Sequence, residues 1–267
     1  MWIDSHCHLD AAEFDGAADA VAAQAAAAGV SWIVVPAVEL ANFKPVASLA
    51  ASIPGCVYAL GIHPVFVPQA SEQDLLLLRQ QVALAIADKK FVAIGEIGLD
   101  FFIPALTEPA MRTRQEFFYS EQLKIARDFG LPVLLHVRRS QDIILKYLRR
   151  FAVCGGIAHA FNGSLQQAHT FIDLGFALGF GGAMTFTRAL QIRRLAAGLP
   201  AESIVLETDA PDISPAWLHP AANRPDQLPQ IAAVLAELRG QPVASLARQT
   251  SDNVARVLPR LGSLMMQ

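Results

Sequence analysis

Short apolar runs alternate with longer stretches of helical periodicity along the chain. The runs fall at 2–3, 32–35, 57–60, 92–94, 133–135, 156–158, 176–180 and 204–206. Most are continuous rather than alternating, the pattern of strands buried on both faces of a parallel sheet. Between them, the spacing of apolar positions predicts helices at 17–28, 41–52, 72–88, 112–129, 141–150, 165–174, 188–197 and 227–239, with a further helix at 243–258. Gly29, Gly130, Gly175, Gly198 and Gly240 each follow a periodic stretch, where a C-cap favours a residue without Cβ. Ser71 with Asp74, and Ser164 with Gln167, have capping-box spacing at helix starts. The alanine-rich stretch 17–28 reads as a helix lying close against a sheet. No repeat, linker or charge block marks a second domain, so residues 1–267 are expected to form one.

Strand, helix and strand repeated with short links predicts an α/β fold with a parallel sheet, which either closes into a barrel or stays open and doubly wound. The polar positions favour a single-domain (β/α)8 TIM barrel, because there the chemistry collects at the C-terminal ends of many different strands. His6 and His8 lie one residue apart at the end of the first run, on the same side of an extended strand, roughly 6.5–7 Å apart and able to converge on one ion. Cys7, between them, points away and is expected to pack. Other metal-competent side chains then arrive one per run, where the run stops: His63, Glu96, His136, His159 and Asp209. Any one of these alone reads as an ordinary strand-end residue. Their recurrence predicts a composite metal site of His6, His8, Glu96, His136, His159 and Asp209. His169, inside a predicted helix, and His219, in the segment APDISPAWLHP, fall outside it. Glu207 either supports a ligand or is solvated at its strand end.

Several imidazoles with two carboxylates exceed the needs of one tetrahedral zinc and suit two divalent ions, drawn from Zn, Mg, Mn or Fe. Two such ions about 3.5–4 Å apart activate a water and clamp a displacement at phosphorus, so the chemistry predicted is hydrolysis. Composition narrows the partners. Lys+Arg number 21 against 24 Asp+Glu, a net charge of -3, so no global basic footprint for nucleic acid exists and any polyanion must be held locally. The cysteines, Cys7, Cys56 and Cys154, have neither disulfide-framework nor metal-finger spacing, which fits a reducing compartment. Charge arrives by the fourth residue of MWIDSHCHLD, and no apolar run reaches the roughly 20 residues of a membrane helix. The expectation is a cytoplasmic protein with no membrane contact and no obligate protein partner.

At these residues the chain resembles the TatD-type metal-dependent deoxyribonucleases of the amidohydrolase superfamily. The matching stretches are DSHCHLD at 4–10, GIHP at 61–64, GEIGLDF at 95–101, LPVLLHVRRS at 131–140, AHAFNGS at 158–164 and LETDAP at 206–211, an ordered set running nearly end to end. The resemblance implies that His6 and His8 bind one metal, Glu96 bridges the pair, His136 and His159 bind the second, and Asp209 completes the first site and accepts the proton of the attacking water. It implies that His63 faces the substrate, with Arg138 and Asn162 placed to contact a phosphate oxygen. A glutamate at 96, where many relatives carry a carboxylated lysine, favours this family over the phosphotriesterase type. Two features depart from the family's pattern. Phe101 and Phe102 follow Asp100 where a Tyr is frequent, and the loop after Asp209 lacks an arginine- and glycine-rich stretch before Asn223, Arg224 and Pro225.

The implied activity is an exonuclease-like cleavage of DNA phosphodiester bonds at strand ends or on short oligonucleotides, with Phe101, Phe102 and Trp217 as candidate stacking platforms for a base. The same two-metal set would equally serve an aminoacyl ester, a lactone or a cyclic amide, since fold and metals do not choose the bond. A binding protein with a structural metal is a third reading, and it predicts a closed coordination shell.

Overall fold

The computed structural model describes residues 1–266. Eight strands form one parallel sheet in sequence order: β1 (Trp2–Asp4), β2 (Val30–Pro36), β3 (Cys56–Leu60), β4 (Phe91–Asp100), β5 (Val133–Arg138), β6 (Gly156–Ala158), β7 (Phe176–Phe180) and β8 (Ile204–Leu206). The ring is drawn shut just beyond the strand ends. Ser5 N donates to Leu206 O at 3.1 Å, Asp209 N to His6 O at 2.9 Å and His8 N to Ala210 O at 2.8 Å. The architecture is the (β/α)8 barrel, and every apolar run read from the sequence lies within one of its strands.

Helices α1 (Ala18–Ala27), α2 (Phe43–Ser52), α3 (Glu72–Ala85), α4 (Pro109–Phe129), α5 (Gln141–Arg150), α6 (Leu165–Asp173), α7 (Leu190–Gly198) and α8 (Leu228–Arg239) surround the sheet. Both capping boxes form: the Asp74 carboxylate accepts from Ser71 N at 3.0 Å, and Ser164 and Gln167 bond reciprocally at 2.9 and 3.1 Å. Three boundaries differ from the periodicity for identifiable reasons. The fourth helix starts three residues early, because Pro109 is well suited to its first turn. The third ends at Ala85, because Asp88 is taken up by Tyr58 Oη at 3.1 Å and Lys90 N at 2.9 Å. Gly198 is the last residue of α7 rather than its cap, whereas Gly130 closes α4 in the left-handed region at φ 62.

Two apolar layers result. The larger lies between the sheet and the surrounding helices, and it includes Cys7. The second fills the lower barrel with Ile3, Val34, Val57, Leu134, Ile157 and Val205. It is plugged from below by α9 (Val243–Val257) and by α10 (Pro259–Met265), a helix beyond the last one that the sequence pattern predicts. Pro259 ends one helix by its missing N–H and opens the next. No helix among the described residues is long and apolar enough to cross a membrane.

Candidate metal centre

The upper barrel is built differently. Strand β4 does not stop before Glu96 but runs through it, and its register with β5 slips between Ile94 and Ile97. Such a bulge re-aims a side chain without ending the strand. Glu96 drops out of the ladder there, its N–H donating instead to Ala37 O just past β2 at 2.9 Å, while its carboxylate is 2 % exposed. His136 also lies within a strand, β5, rather than beyond it. His6, His63, His159 and Asp209 follow the ends of β1, β3, β6 and β8.

Five of the seven histidines thus converge on one carboxylate. Around Glu96 Oε2 stand His6 Nε2 at 3.1 Å and His8 Nε2 at 3.5 Å; these two nitrogens are 3.3 Å apart, and each is 3.6 Å from Asp209 Oδ1. Around Glu96 Oε1 stand His159 Nε2 at 2.8 Å, His136 Nδ1 at 3.1 Å and His63 Nε2 at 3.3 Å, with His159 and His136 3.4 Å apart. Metal–nitrogen bonds of about 2.0–2.1 Å in a tetrahedron require donor–donor edges of about 3.3–3.4 Å. The first group matches this on every measured edge to within a few tenths of an ångström. Facing imidazole nitrogens at such distances cannot all carry protons, so the donor set fits a bound cation. The two oxygens of Glu96 each address a separate group, the arrangement of a bridging carboxylate.

The electrostatics agree. Burial alone would raise Glu96, but the imidazoles of His63, His159 and His6 hold it well below the ordinary carboxylate range. Burial lowers His6 to about 3 and His63 to about 4. Burial also opposes the charged forms of His8 and His159, yet Glu96 and Asp209 overcome it and lift them to about 9 and about 10. Asp209 is raised, chiefly by burial.

His63 sits inside the second donor group and also lines the cavity above it. Its Nδ1 accepts from Val65 N at 3.2 Å, so in the neutral ring the proton is on Nε2, and His63 donates to Glu96. Arg138 and Asn162 both line the cavity above the site. Asn162 is exposed, and its carbonyl accepts from Gln141 Nε2.

Several supporting residues escaped the sequence reading. Asp100 accepts from His136 Nε2 at 3.1 Å and from the Phe102 and Ile103 amides at 2.8 and 3.0 Å; its only sequence signal is its place in GEIGLDF. Asp4 is fully buried, and its carboxylate accepts from Thr208 Oγ1 at 2.6 Å, Thr208 N at 3.0 Å and His6 N at 3.3 Å. That cluster fixes the β1 and β8 ends relative to each other, and with them His6 and Asp209. Glu207 is 1 % exposed, accepts from Ala160 N and lies 3.8 Å from His159 Nδ1, so it stands behind His159 rather than in solvent. Burial pushes it up to about 8. Asp209, Ala160 and Arg139 all adopt left-handed backbone, at φ 57, 44 and 54. For residues with a Cβ this is uncommon and concentrates where function demands it.

The cavity above the centre has a volume of about 870 Å³. Of the described residues lining it, Arg138 and Arg139 are the arginines, at the last position of β5 and just after it. Both guanidinium groups lie against the 43 % exposed ring of Phe102, at 3.9 and 4.6 Å from its centroid. Of the three aromatics expected as platforms, Phe102 alone is on this wall: Phe101 is buried beneath Arg112, and Trp217 is exposed but lines no cavity described here. His169 and His219 are exposed, away from the donor groups.

Comparison with known proteins places these features in a family. A family model described as TatD related DNase matches residues 3–259. An uncharacterized metal-dependent hydrolase, YjjV of Escherichia coli K12, is 42% identical over 253 residues, covering 94% of this chain and 95% of that one. The crystal structure of a YjjV TatD homologue from that organism superposes with a TM-score of 0.91 at 40% identity, over 97% and 98% of the two chains. A protein named 3'-5' ssDNA/RNA exonuclease TatD, from Klebsiella pneumoniae strain 342, is 33% identical over 94% of this chain and 95% of its own. A match running nearly end to end, on a barrel whose mouth gathers imidazoles around one buried carboxylate, makes this chain a member of the TatD family of metal-dependent hydrolases.

Proposed function

We propose that the chain is a two-metal nuclease that hydrolyses phosphodiester bonds of single-stranded DNA from an end. The observation that carries the reading is the Arg138–Phe102–Arg139 stack on the wall of the metal cavity. A guanidinium pair satisfies phosphate oxygens by charge-assisted bonds, and an exposed ring offers a face to a base. The net charge of -3 supports a strand end over a long duplex, which would need an extended basic surface. The name of the Klebsiella relative, a 3'-5' ssDNA/RNA exonuclease, supports the same substrate class.

In this reading His6, His8, Glu96 and Asp209 would hold one ion, and His136, His159 and Glu96 would hold the other. The ions supply charge neutralisation at phosphorus and a lowered water pKa. Asp209 takes the proton of the attacking water, a role that suits a carboxylate whose affinity for protons is already raised. His63, donating from Nε2, steadies Glu96 and faces the reacting phosphate. Arg138 and Asn162 orient its free oxygens. The test is a substrate panel on protein loaded with Mg²⁺, Mn²⁺ or Zn²⁺: labelled single strands are shortened from one end, and duplexes, lactones and amides are spared. Intact oligonucleotides under every metal would sink the proposal.

One feature favours a second reading. Asp10 and Glu13 beyond β1, and Asp212 beyond β8, form an acidic side of the same cavity, suited to the ammonium of an aminoacyl ester. Turnover of aminoacyl esters in that panel, with oligonucleotides untouched, is the outcome it requires.

A further inference from the structure

A second cavity, of about 580 Å³, opens off the first, and the two share Ala183, Ile192, Pro211, Asp212 and Ile213 as a common wall. Its far side is chemically distinct. The ring of Phe186 meets His219 edge to face at 5.8 Å and 81°, and the Arg188 guanidinium lies 5.2 Å from the Phe186 centroid. His219 and Arg188 are exposed, and small side chains, Ala189, Ala221 and Ala222, keep the space between them open. None of these residues takes part in holding metal or in the steps above.

The walls are preformed. The loops after β7 and β8 touch closely at Gly182, where a Cβ would come within 2.0 Å of Ile213 O. Thr185 Oγ1 accepts from Ala216 N at 2.8 Å and donates to Gly182 O at 2.7 Å. Asn223, fully buried, donates from Nδ2 to Thr208 O at 2.7 Å, and its N–H donates to Pro211 O at 2.8 Å. The slot is therefore tied to the same Thr208 that Asp4 holds beside the metal ligands. A site held open in this way avoids the ordering cost that weakens binding to mobile loops.

We infer that this side cavity is a nucleotide subsite: the base of a single strand rests against Phe186 and His219, and the attached phosphate meets Arg188. The inference rests on the nuclease reading and deepens it. An aromatic face takes any base, a guanidinium takes its phosphate, and a cleft between two loops admits one base rather than a stacked pair. The strand then extends from the metal centre toward the β7 and β8 loops, on the opposite side from the Arg138–Phe102–Arg139 stack, and substrates too short to reach the slot gain nothing from it.

The test compares thymidine 5′-(4-nitrophenyl phosphate), which carries a single nucleotide, with hexathymidylate, on the metal-loaded enzyme and its Phe186→Ala/His219→Ala variant. The ratio of kcat/KM for the hexamer over the short ester is expected to fall about tenfold, through KM, the size of one lost stacking contact. Phe186→Trp restores the ratio, and Arg188→Ala lowers it and flattens its dependence on salt. An equal loss on both substrates, or no loss, overturns the subsite while leaving the nuclease reading standing. If the wild type cleaves neither substrate, that reading fails first. Anisotropy of fluorescein-labelled phosphorothioate hexathymidylate then decides the subsite alone: binding weakened by Phe186→Ala/His219→Ala upholds it, and binding that is absent or unchanged overturns it.

Discussion

The two ends of the barrel interior are made by the same strands and obey opposite rules. Below, Ile3, Val34, Val57, Leu134, Ile157 and Val205 meet the apolar face of α9 and α10, and Asn253 of α9 is satisfied within the protein, its Nδ2 donating to Ala201 O and Ile204 O at 2.8 Å each. Above, four of the strands, or the residues just beyond them, contribute something costly to bury: Asp4, His6, Glu96, His159, Glu207 and Asp209 are all 7% exposed or less. The lower half earns its burial through exclusion of water, at roughly 25 cal/mol per Å² of apolar surface. The upper half becomes tolerable only through partners, and the partner that fits the donor groups is a cation. Stability and chemistry are thus divided along one axis, the division expected of this architecture.

Breaking the upper half at its centre should have the largest effect. Glu96→Ala removes the one group common to both sets of donors, so hydrolysis is expected to fall by about 10³-fold or more, with metal content by elemental analysis falling in parallel. Full metal retention in that variant would show that Glu96 is not the bridge. A cut in the lower half should do the reverse. Leu134→Ala empties a fully buried position, and urea unfolding should report a loss of about 3 kcal/mol. Activity per folded molecule should stay near normal, and a comparable collapse of turnover would dissolve the division of labour.

Chelation comes next. At metal concentrations about a hundredfold above Kd, loaded protein should gain about 2.7 kcal/mol over the stripped form, read as a higher Tm. The difference depends on pH with a definite sign. His8 and His159, raised to about 9 and about 10, hold protons that a cation must displace, so metal affinity falls as the solution is acidified. In stripped protein these raised values add stability that is complete below the ordinary imidazole value of about 6.5 and is lost as pH rises through about 9 and 10. His6 and His63, lowered to about 3 and about 4, cost stability as pH falls below about 6.5. For these four groups the stripped fold is most stable near pH 6.5, whereas the loaded form continues to gain above it. Denaturation midpoints across pH 4 to 10, with and without chelator, check both signs. The smallest effect is expected one step behind the ligands. Glu207→Gln keeps the bond from Ala160 N but removes a carboxyl that is charged above about pH 8 beside His159, and metal affinity by competition titration in that alkaline range should drop about tenfold.

Much of the upper half was legible in the sequence because strand ends are legible. A run that stops at a His, Glu or Asp marks the barrel mouth, and repetition turns isolated coincidences into a site. The reading placed Glu96 and His136 beyond their strands because Gly95 and the polar residues interrupt the apolar pattern, while the backbone pairing continues to Asp100 and Arg138. What stayed hidden depends on contacts between distant loops. Phe186 and His219 are separated by a strand, a helix and a long loop, and nothing in either local sequence announces that their rings meet. Asp4 and Thr208 are 204 positions apart, and their bond exists only because the ring closes. Sequence periodicity reports burial along one element; it carries little about which faces of two loops come together.

The seam between β1 and β8 sets a schedule for synthesis. His6 and His8 are made seven strands ahead of Asp209, whose N–H pairs with His6 O. Until then the leading histidines have no fourth donor, and Asp4 has no threonine to hold it. A ribosome-bound chain stopped before β8 therefore lacks part of its cation site, and metal capture becomes a late event that marks a finished ring.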